Sequence, residues 1–416
     1  MTSYRVLVVD DSAFMRKIIS DLITADKQFE IIATATNGQE AIDAVEQWKP
    51  DVITLDLEMP EMNGLEALGH IMRKRPTPII MMSSTSDDGT RETIKALQYG
   101  AFDFIRKPAG PLSPDIQNVG EQLLEKLRIA VLTRRPSIPA DSIFTRPLAP
   151  AELHKQNGKE KPLKPGKKEA AETKPVRPKL EPVLKKERIK PAVLPSKPAV
   201  TSPEELFAEQ AEPPKSSSKP KPTLSFRHLV AIGTSTGGPR ALHEVISSLP
   251  GSFPAPVLVV QHMPPKFTHS LAQRLNTFSA LHVKEAEGGE RVYAGIVYIA
   301  PGGFHMELAK DASGYYIKLT QSEPRSGHRP SVDVMFESCV PYPELQRHSV
   351  IMTGMGSDGV KGMKALKDSG AQSAIAEAEE SCVVYGMPRS AIEAGVATSV
   401  VPLKKIASTL VDQVMK

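Results

Sequence analysis

Short apolar runs alternate with helical patterns over the first 130 or so residues: Val6 to Val9, Ile31 to Ala35, Val52 to Leu55, Ile79 to Met82 and Phe102 to Ile105. Strands separated by helices in this way build a parallel sheet. Between the first two runs, Phe14, Met15, Ile18, Ile19, Leu22 and Ile23 recur at three- and four-residue spacing, which predicts a helix with one apolar stripe. The expectation for residues 1–130 is a flavodoxin-like, doubly wound α/β domain. The alternation stops near Pro136 and returns at His228-Leu-Val-Ala-Ile232, with further strand-like runs at Val257 to Val260, Ile296 to Ala300 and Val350 to Thr353. Helical patterns lie between most of these, so residues 224–416 read as a second, parallel-sheet α/β domain without internal repeats.

The interval between the domains differs in kind. Residues 136–222 hold 17 of the 37 prolines, and 18 Lys and Arg against 11 Asp and Glu. Too few apolar residues remain to offset the entropy of ordering, so the segment is expected to be a long, disordered Pro/Lys/Glu-rich linker. It carries a charge of +7 in a chain whose formal net charge is +4, leaving −3 for the rest. The basic balance therefore belongs to the linker and argues against a nucleic-acid-binding face.

At 416 residues the chain suits two or three domains, and its apolar runs are strand-sized, too short for membrane insertion. Only Cys339 and Cys382 are present, which fits a reducing compartment. The opening Met-Thr-Ser-Tyr-Arg leads directly into a strand, with no export signal in order. A cytoplasmic location is expected.

Ligand sites in open α/β sheets form at the carboxyl ends of the strands. In the first domain those positions carry Asp10 and Asp11 after the first strand, Asp56 at the end of the third, Ser83 and Ser84 at the fourth, and Lys107 after the fifth. Clustered carboxylates can hold a hard cation such as Mg²⁺, leaving one carboxylate as a phosphoryl acceptor. Lys107 can pair with the phosphoryl oxygens and Ser83 can donate to them. Taken singly, these residues are also ordinary helix caps, turn residues and a solvated lysine; their coincidence at four strand ends favours a site.

In the second domain, Gly233-Thr-Ser235-Thr-Gly237-Gly238 joins a strand to a helical pattern. Small residues around a serine on a sharp turn expose its hydroxyl near a helix N-terminus, which suits a nucleophile and its oxyanion. The same turn could cradle a phosphate, but it has neither P-loop nor dinucleotide-turn spacing. A serine nucleophile needs a base. His262 follows the Val257 to Val260 strand, and Asp358 lies in the loop beyond the Val350 to Thr353 strand, where it could orient the imidazole. His305 and Asp333 sit in comparably distinctive surroundings and remain alternatives.

The first 130 residues resemble the response-regulator receiver family through Val-Val-Asp-Asp-Ser, Asp56-Leu-Glu-Met-Pro followed by Asn63-Gly64, and Arg106-Lys107-Pro108. The resemblance implies that Asp56 accepts phosphate from a chemotaxis histidine kinase. It also implies that Asp11, Asp56 and the Glu58 carbonyl hold Mg²⁺, and that Ser83, Phe104 and Lys107 are switch residues. The second domain resembles the CheB chemotaxis methylesterase family through Gly-x-Ser-Thr-Gly-Gly, Gln261-His-Met-Pro-Pro, Tyr298-Ile-Ala-Pro-Gly, His328-Arg-Pro-Ser-Val-Asp, Thr353-Gly-Met-Gly-Ser-Asp-Gly and Cys382-Val-Val-Tyr-Gly-Met-Pro. That resemblance implies Ser235 as nucleophile, His262 as general base, Asp358 as its orienting partner and the Met355 N–H as oxyanion donor, with no cofactor. The substrates implied are glutamate methyl esters, and glutamines, on methyl-accepting chemotaxis receptors. Thr234 departs from an alanine common in the family. The linker reads as longer than usual, which predicts weaker inhibition by the receiver because effective concentration falls with linker length.

Two other classes compete with an enzyme. A non-catalytic, phosphorylation-dependent signalling adaptor needs no Ser, His and Asp constellation, and a transcription factor needs a helix-turn-helix that the chain does not show.

Overall fold

The structure, a computed structural model, describes residues 3–84, 86–108, 116–133 and 223–415. The expected linker, 136–222, lies outside the described residues.

The N-terminal domain runs β1 (Tyr4–Val9), α1 (Ala13–Thr24), β2 (Phe29–Ala35), α2 (Gly38–Trp48), β3 (Val52–Asp56), α3 (Gly64–Lys74), β4 (Ile79–Ser83), α4 (Asp87–Gln98), β5 (Asp103–Arg106) and α5 (Ile116–Leu132). Its five strands pair in parallel in the order β2-β1-β3-β4-β5, the flavodoxin-like arrangement. Strands β3 and β4 are buried at every position, as expected when helices cover both faces. Polar side chains start several helices: Ser12, Asn37, Asn63 and Ser86 each accept an N–H of the first turn. The stripe on α1 is narrower than its periodicity suggests. Ile19 and Ile23 are buried, whereas Phe14 is 50% exposed.

The C-terminal domain begins with β6 (His228–Thr234), α6 (Gly238–Ser247), β7 (Val257–Gln261), α7 (Phe267–Phe278), β8 (His282–Glu285) and β9 (Ile296–Ile299). An antiparallel hairpin follows, β10 (His305–Asp311) and β11 (Gly314–Thr320), outside the main sheet. The chain then continues through α8 (Val332–Ser338), β12 (Gln346–Ile351), α9 (Val360–Asp368), β13 (Ser373–Glu377), α10 (Met387–Glu393), β14 (Ser399–Val401) and α11 (Leu403–Val414). Seven parallel strands form the sheet in the order β14-β13-β12-β6-β7-β9-β8. The path leaves β6 toward β7 and later returns to β12 on the opposite side of β6. That reversal opens a crevice at the carboxyl ends of β7, β6 and β12.

No helix among the described residues is long and apolar enough to cross a membrane. Both cysteines are buried, and neither forms a disulfide.

Candidate functional site

In the N-terminal domain, carboxylate oxygens of Asp10, Asp11 and Asp56 all lie within 4.8 Å of one another, Asp10 and Asp56 buried and Asp11 exposed. The Lys107 ammonium bridges this cluster, 2.6 Å from Asp56 Oδ2 and 2.8 Å from Asp10 Oδ2. Burial pushes the Asp56 carboxyl up to about 6, with Lys107 pulling against it. Three convergent carboxylates with one open to solvent are a donor set that fits a hard, oxygen-preferring divalent cation. Glu58 N–H donates to Asp56 Oδ1 at 3.3 Å, and Ser84 Oγ donates to the Glu58 carboxylate at 2.9 Å. Ser83 is buried, and its hydroxyl is 2.5 Å from Thr93 Oγ1 on α4. To contact a phosphoryl group it must exchange that partner. Phe104 is not plain core of its own domain: its ring stacks on Phe267 of α7, centroids 4.6 Å apart.

The second cluster sits in the crevice of the larger sheet. Ser235 follows β6 directly, and its N–H donates to Thr353 O at 3.0 Å. Gly237 adopts a φ of 80° as the N-cap of α6, a conformation that suits glycine and turns the chain sharply. His262 follows β7, tied to β6 by its N–H to Thr234 O at 3.1 Å. Its Nε2 lies 2.8 Å from Asp358 Oδ2, while Nδ1 is buried without a hydrogen-bond partner among the described residues.

Asp358 is 2% exposed and accepts three further bonds, from Ser331 Oγ at 2.8 Å, Val332 N–H at 2.7 Å and Asp333 N–H at 3.2 Å. Burial disfavours its charge, but these donors and His262 outweigh burial and hold the carboxyl down at about 2. An ionised Asp358 accepts from Nε2–H, which leaves the Nδ1 lone pair available.

The alternatives take other places. Asp333 Oδ1 accepts Gly362 N–H at 2.7 Å in the first turns of α9, and His305 is enclosed between Glu323 O and Ser331 N–H. Neither bonds to His262. His328, noted in the sequence only as part of a motif, stacks on His262 with centroids 3.8 Å apart.

The Gly354–Met355 peptide is held from one side. Gly354 O accepts Gly386 N–H at 3.1 Å and Met387 N–H at 2.8 Å. In a trans peptide the N–H points opposite to the C=O, so the Met355 N–H is aimed away from α10. The Ser235 side chain is close: a methyl added at Gly354 would lie 2.8 Å from Ser235 Cβ.

The two domains meet beside the second cluster. Thr236 Oγ1, next to Ser235, donates to Asp103 Oδ2 at 2.6 Å, and Lys126 pairs with the same oxygen at 2.7 Å. Thr90 Oγ1 is 2.8 Å from Ser270 Oγ, and Arg274 Nε donates to Gln98 at 2.9 Å. One pocket is lined jointly by Asp103, Phe104 and Lys126 and by Ser235, Thr236 and His262. The sequence gives no periodic signal for this contact, because partners far apart in the chain have no fixed spacing.

Both domains resemble those of known proteins. The CheB methylesterase family model matches residues 230–410, and the response regulator receiver domain model matches residues 6–113. A protein-glutamate methylesterase/protein-glutamine glutaminase of Geobacillus kaustophilus is 43% identical over 412 residues, 99% of each chain. Its namesake from Bacillus subtilis is likewise 43% identical over 412 residues and 99% of each chain. Since these alignments take in nearly the whole of both chains, the expectation of an unusually long linker does not hold against these relatives. From the two family models and the full-length relatives together, the chain belongs to the CheB methylesterase family, with a response regulator receiver domain preceding the methylesterase domain.

Proposed function

We propose that the protein hydrolyses glutamate methyl esters on the cytoplasmic helices of chemotaxis receptors, and glutamine amides at the same sites, with Ser235 as nucleophile. The observation that carries this reading is the 2.8 Å bond between His262 Nε2 and Asp358 Oδ2, with His262 lining the same pocket as Ser235 and the three residues following the adjacent strands β7, β12 and β6. His262 Nδ1 takes the Ser235 proton as Oγ bonds to the ester carbonyl carbon. The Met355 N–H stabilises the oxyanion. Collapse of the tetrahedral intermediate breaks the C–O bond, and the imidazolium returns its proton to the departing methanol. Water, deprotonated by His262, then cleaves the acyl-enzyme, restoring the carboxylate and Ser235. From a glutamine the first leaving group is ammonia.

The contacts between the domains support control of the esterase by the receiver. With Thr236 bonded to Asp103 and Phe267 stacked on Phe104, the receiver lies over the nucleophile turn and restricts access by receptor helices. Phosphorylation of Asp56 by a chemotaxis histidine kinase shifts the population toward an open arrangement through Lys107, Ser83 and Phe104. Asp11, Asp56 and the Glu58 carbonyl would hold Mg²⁺, which would supply charge neutralisation for phosphoryl transfer. The esterase reaction uses the protein's own groups.

The test is methanol release from methylated receptor membranes by wild type and Ser235→Ala, each with and without a small acyl phosphate. Release by wild type alone, increased by the phosphodonor, is expected. Serine-independent release overturns the nucleophile, and release unaffected by phosphodonor overturns receiver control.

A further inference from the structure

A fully buried carboxylate near the crevice has no part in the mechanism above. Glu377 ends β13 and is 0% exposed. Its Oε2 accepts the Thr353 N–H at 2.8 Å, and its Oε1 accepts the Ser381 hydroxyl at 2.9 Å. Thr353 is itself 1% exposed. Its carbonyl accepts Ser235 N–H at 3.0 Å, its hydroxyl donates to Thr236 O at 2.9 Å, and Val384 N–H donates to that hydroxyl at 2.9 Å. A chain of bonds therefore runs from β13 through the loop beyond β12 to the Ser235 N–H and the Thr236 carbonyl of the nucleophile turn. β12 ends at Ile351, and two main-chain bonds carry its pairing with β6 past that point, Met352 N–H to Gly233 O and Ser235 N–H to Thr353 O, both at 3.0 Å; the Thr353 hydroxyl and the Glu377 carboxylate add side-chain bonds to them.

We propose that Glu377 and Thr353 are positioning residues that fix the Ser235 turn at the height and angle needed for attack. The inference rests on the reading of Ser235 as nucleophile. Glu377 fixes the Thr353 peptide, and Thr353 grips the turn at two atoms, its carbonyl and its hydroxyl. Burial raises the Glu377 carboxyl above its ordinary range while the bonded donors oppose the shift, so a buried acid is retained here for its acceptors. Removing the hydroxyl in Thr353→Val releases Thr236 O and leaves Val384 N–H unpaired. Removing the acceptors in Glu377→Leu leaves the Thr353 N–H buried without a partner. Either change lets the turn relax without altering any group that touches substrate.

The experiment measures kcat and KM for methanol release from methylated receptor membranes by the full chain with phosphodonor. Thermal melting and titration of Ser235 with a fluorophosphonate count the competent sites. Thr353→Val is expected to lower kcat per titrated site on the order of 10²-fold, the scale of an ångström-sized misplacement, with KM little changed. Thr353→Ser, which restores the hydroxyl, recovers most of that loss, and Glu377→Gln recovers most of what Glu377→Leu loses. Wild-type kcat per titrated site in Thr353→Val overturns the proposal, as does a loss confined to the number of folded sites. Ser235→Ala separates the two readings: if it turns over normally the nucleophile assignment fails, and if it alone is inactive only the positioning role fails.

Discussion

His328 lies flat on His262, with ring centroids 3.8 Å apart and planes 12° apart. Burial, reinforced by His262 beside it, pushes the His328 imidazole down to about 4. His328 therefore stays neutral at working pH and presents no cation to the imidazolium that forms on its neighbour. The acid limb of kcat/KM is expected to follow one proton, not two, down to about pH 5, where a neutral His328 contributes no titration. His328→Phe should preserve the slope and position of that limb. A pH-rate profile of both proteins checks this, and a two-proton slope in the wild type contradicts it.

The Asp358 carboxyl is held at about 2 because the donors gathered around it outweigh its burial. That folded value lies below the ordinary carboxylate range, so its contribution to stability is complete above about pH 4 and lost as pH falls toward 2. Asp358→Asn is expected to lower kcat on the order of 10⁴-fold, since an amide neither enforces the Nε2–H tautomer nor stabilises the imidazolium. Ser331→Ala removes one donor to Asp358 and the N-cap of α8, and should cost about 1 kcal/mol of stability with a smaller loss of kcat. Denaturant titration at pH 7 and turnover assays separate these effects.

Asp103 reaches across the domain boundary to Thr236, and Phe104 stacks on Phe267. Asp103→Ala and Phe104→Ala are expected to raise methanol release without phosphodonor. Loss of about 1 kcal/mol of docking free energy shifts the equilibrium toward the open arrangement about fivefold. Stimulation by phosphodonor should shrink correspondingly. Comparing basal and stimulated rates tests this; unchanged basal rates would show that the contact does not restrain turnover.

Asp56 must be ionised to attack phosphorus, yet burial holds its carboxyl at about 6 against the pull of Lys107. At limiting Mg²⁺, phosphorylation by a small phosphodonor is expected to fall as pH drops through about 6. High Mg²⁺ should move that inflection to lower pH, because a bound cation favours the carboxylate. Chelation or Asp56→Asn should abolish stimulation by phosphodonor. Phosphoprotein formation followed against pH at two Mg²⁺ concentrations reads the shift directly.

Much of the scaffold was legible before any coordinates. Four of the N-terminal strand cores are apparent because buried parallel strands leave apolar runs, and the edge strand β2 through Ile31, Ile32 and Ala33, which are only partly buried. In the larger sheet, β6, β7 and β9 stand out for the same reason, whereas β12 shows only its last residues, Val350 and Ile351, because Gln346-Arg-His-Ser349 is polar though mostly buried, and the run expected at Val350 to Thr353 overlaps the strand only there. β8, β13, β14 and the β10–β11 hairpin do not: His282–Glu285 and Gly314–Thr320 are partly exposed and mix polar and apolar residues, and the buried β13, Ser-Ala-Ile-Ala-Glu, carries a single large apolar side chain. Phe14 has the spacing of the α1 stripe yet is half exposed, because spacing alone does not reveal which turn of a helix is covered.

Chemistry followed the same division. Sequence alone placed Asp10, Asp11, Asp56 and Lys107 at strand ends, and Ser235, His262 and Asp358 in a second set, since strand order along the chain dictates which loops share a sheet edge. It left His305 and Asp333 as rivals, and only the folded loops separated them: Asp358 meets His262, while Asp333 turns to Gly362. The stack of His328 on His262, the Glu377–Thr353 link and the Asp103–Thr236 bond were decided by tertiary structure alone. Each joins residues brought together by packing rather than by period, and hydrogen bonds and ring contacts depend on ångström-scale placement that no one-dimensional pattern records.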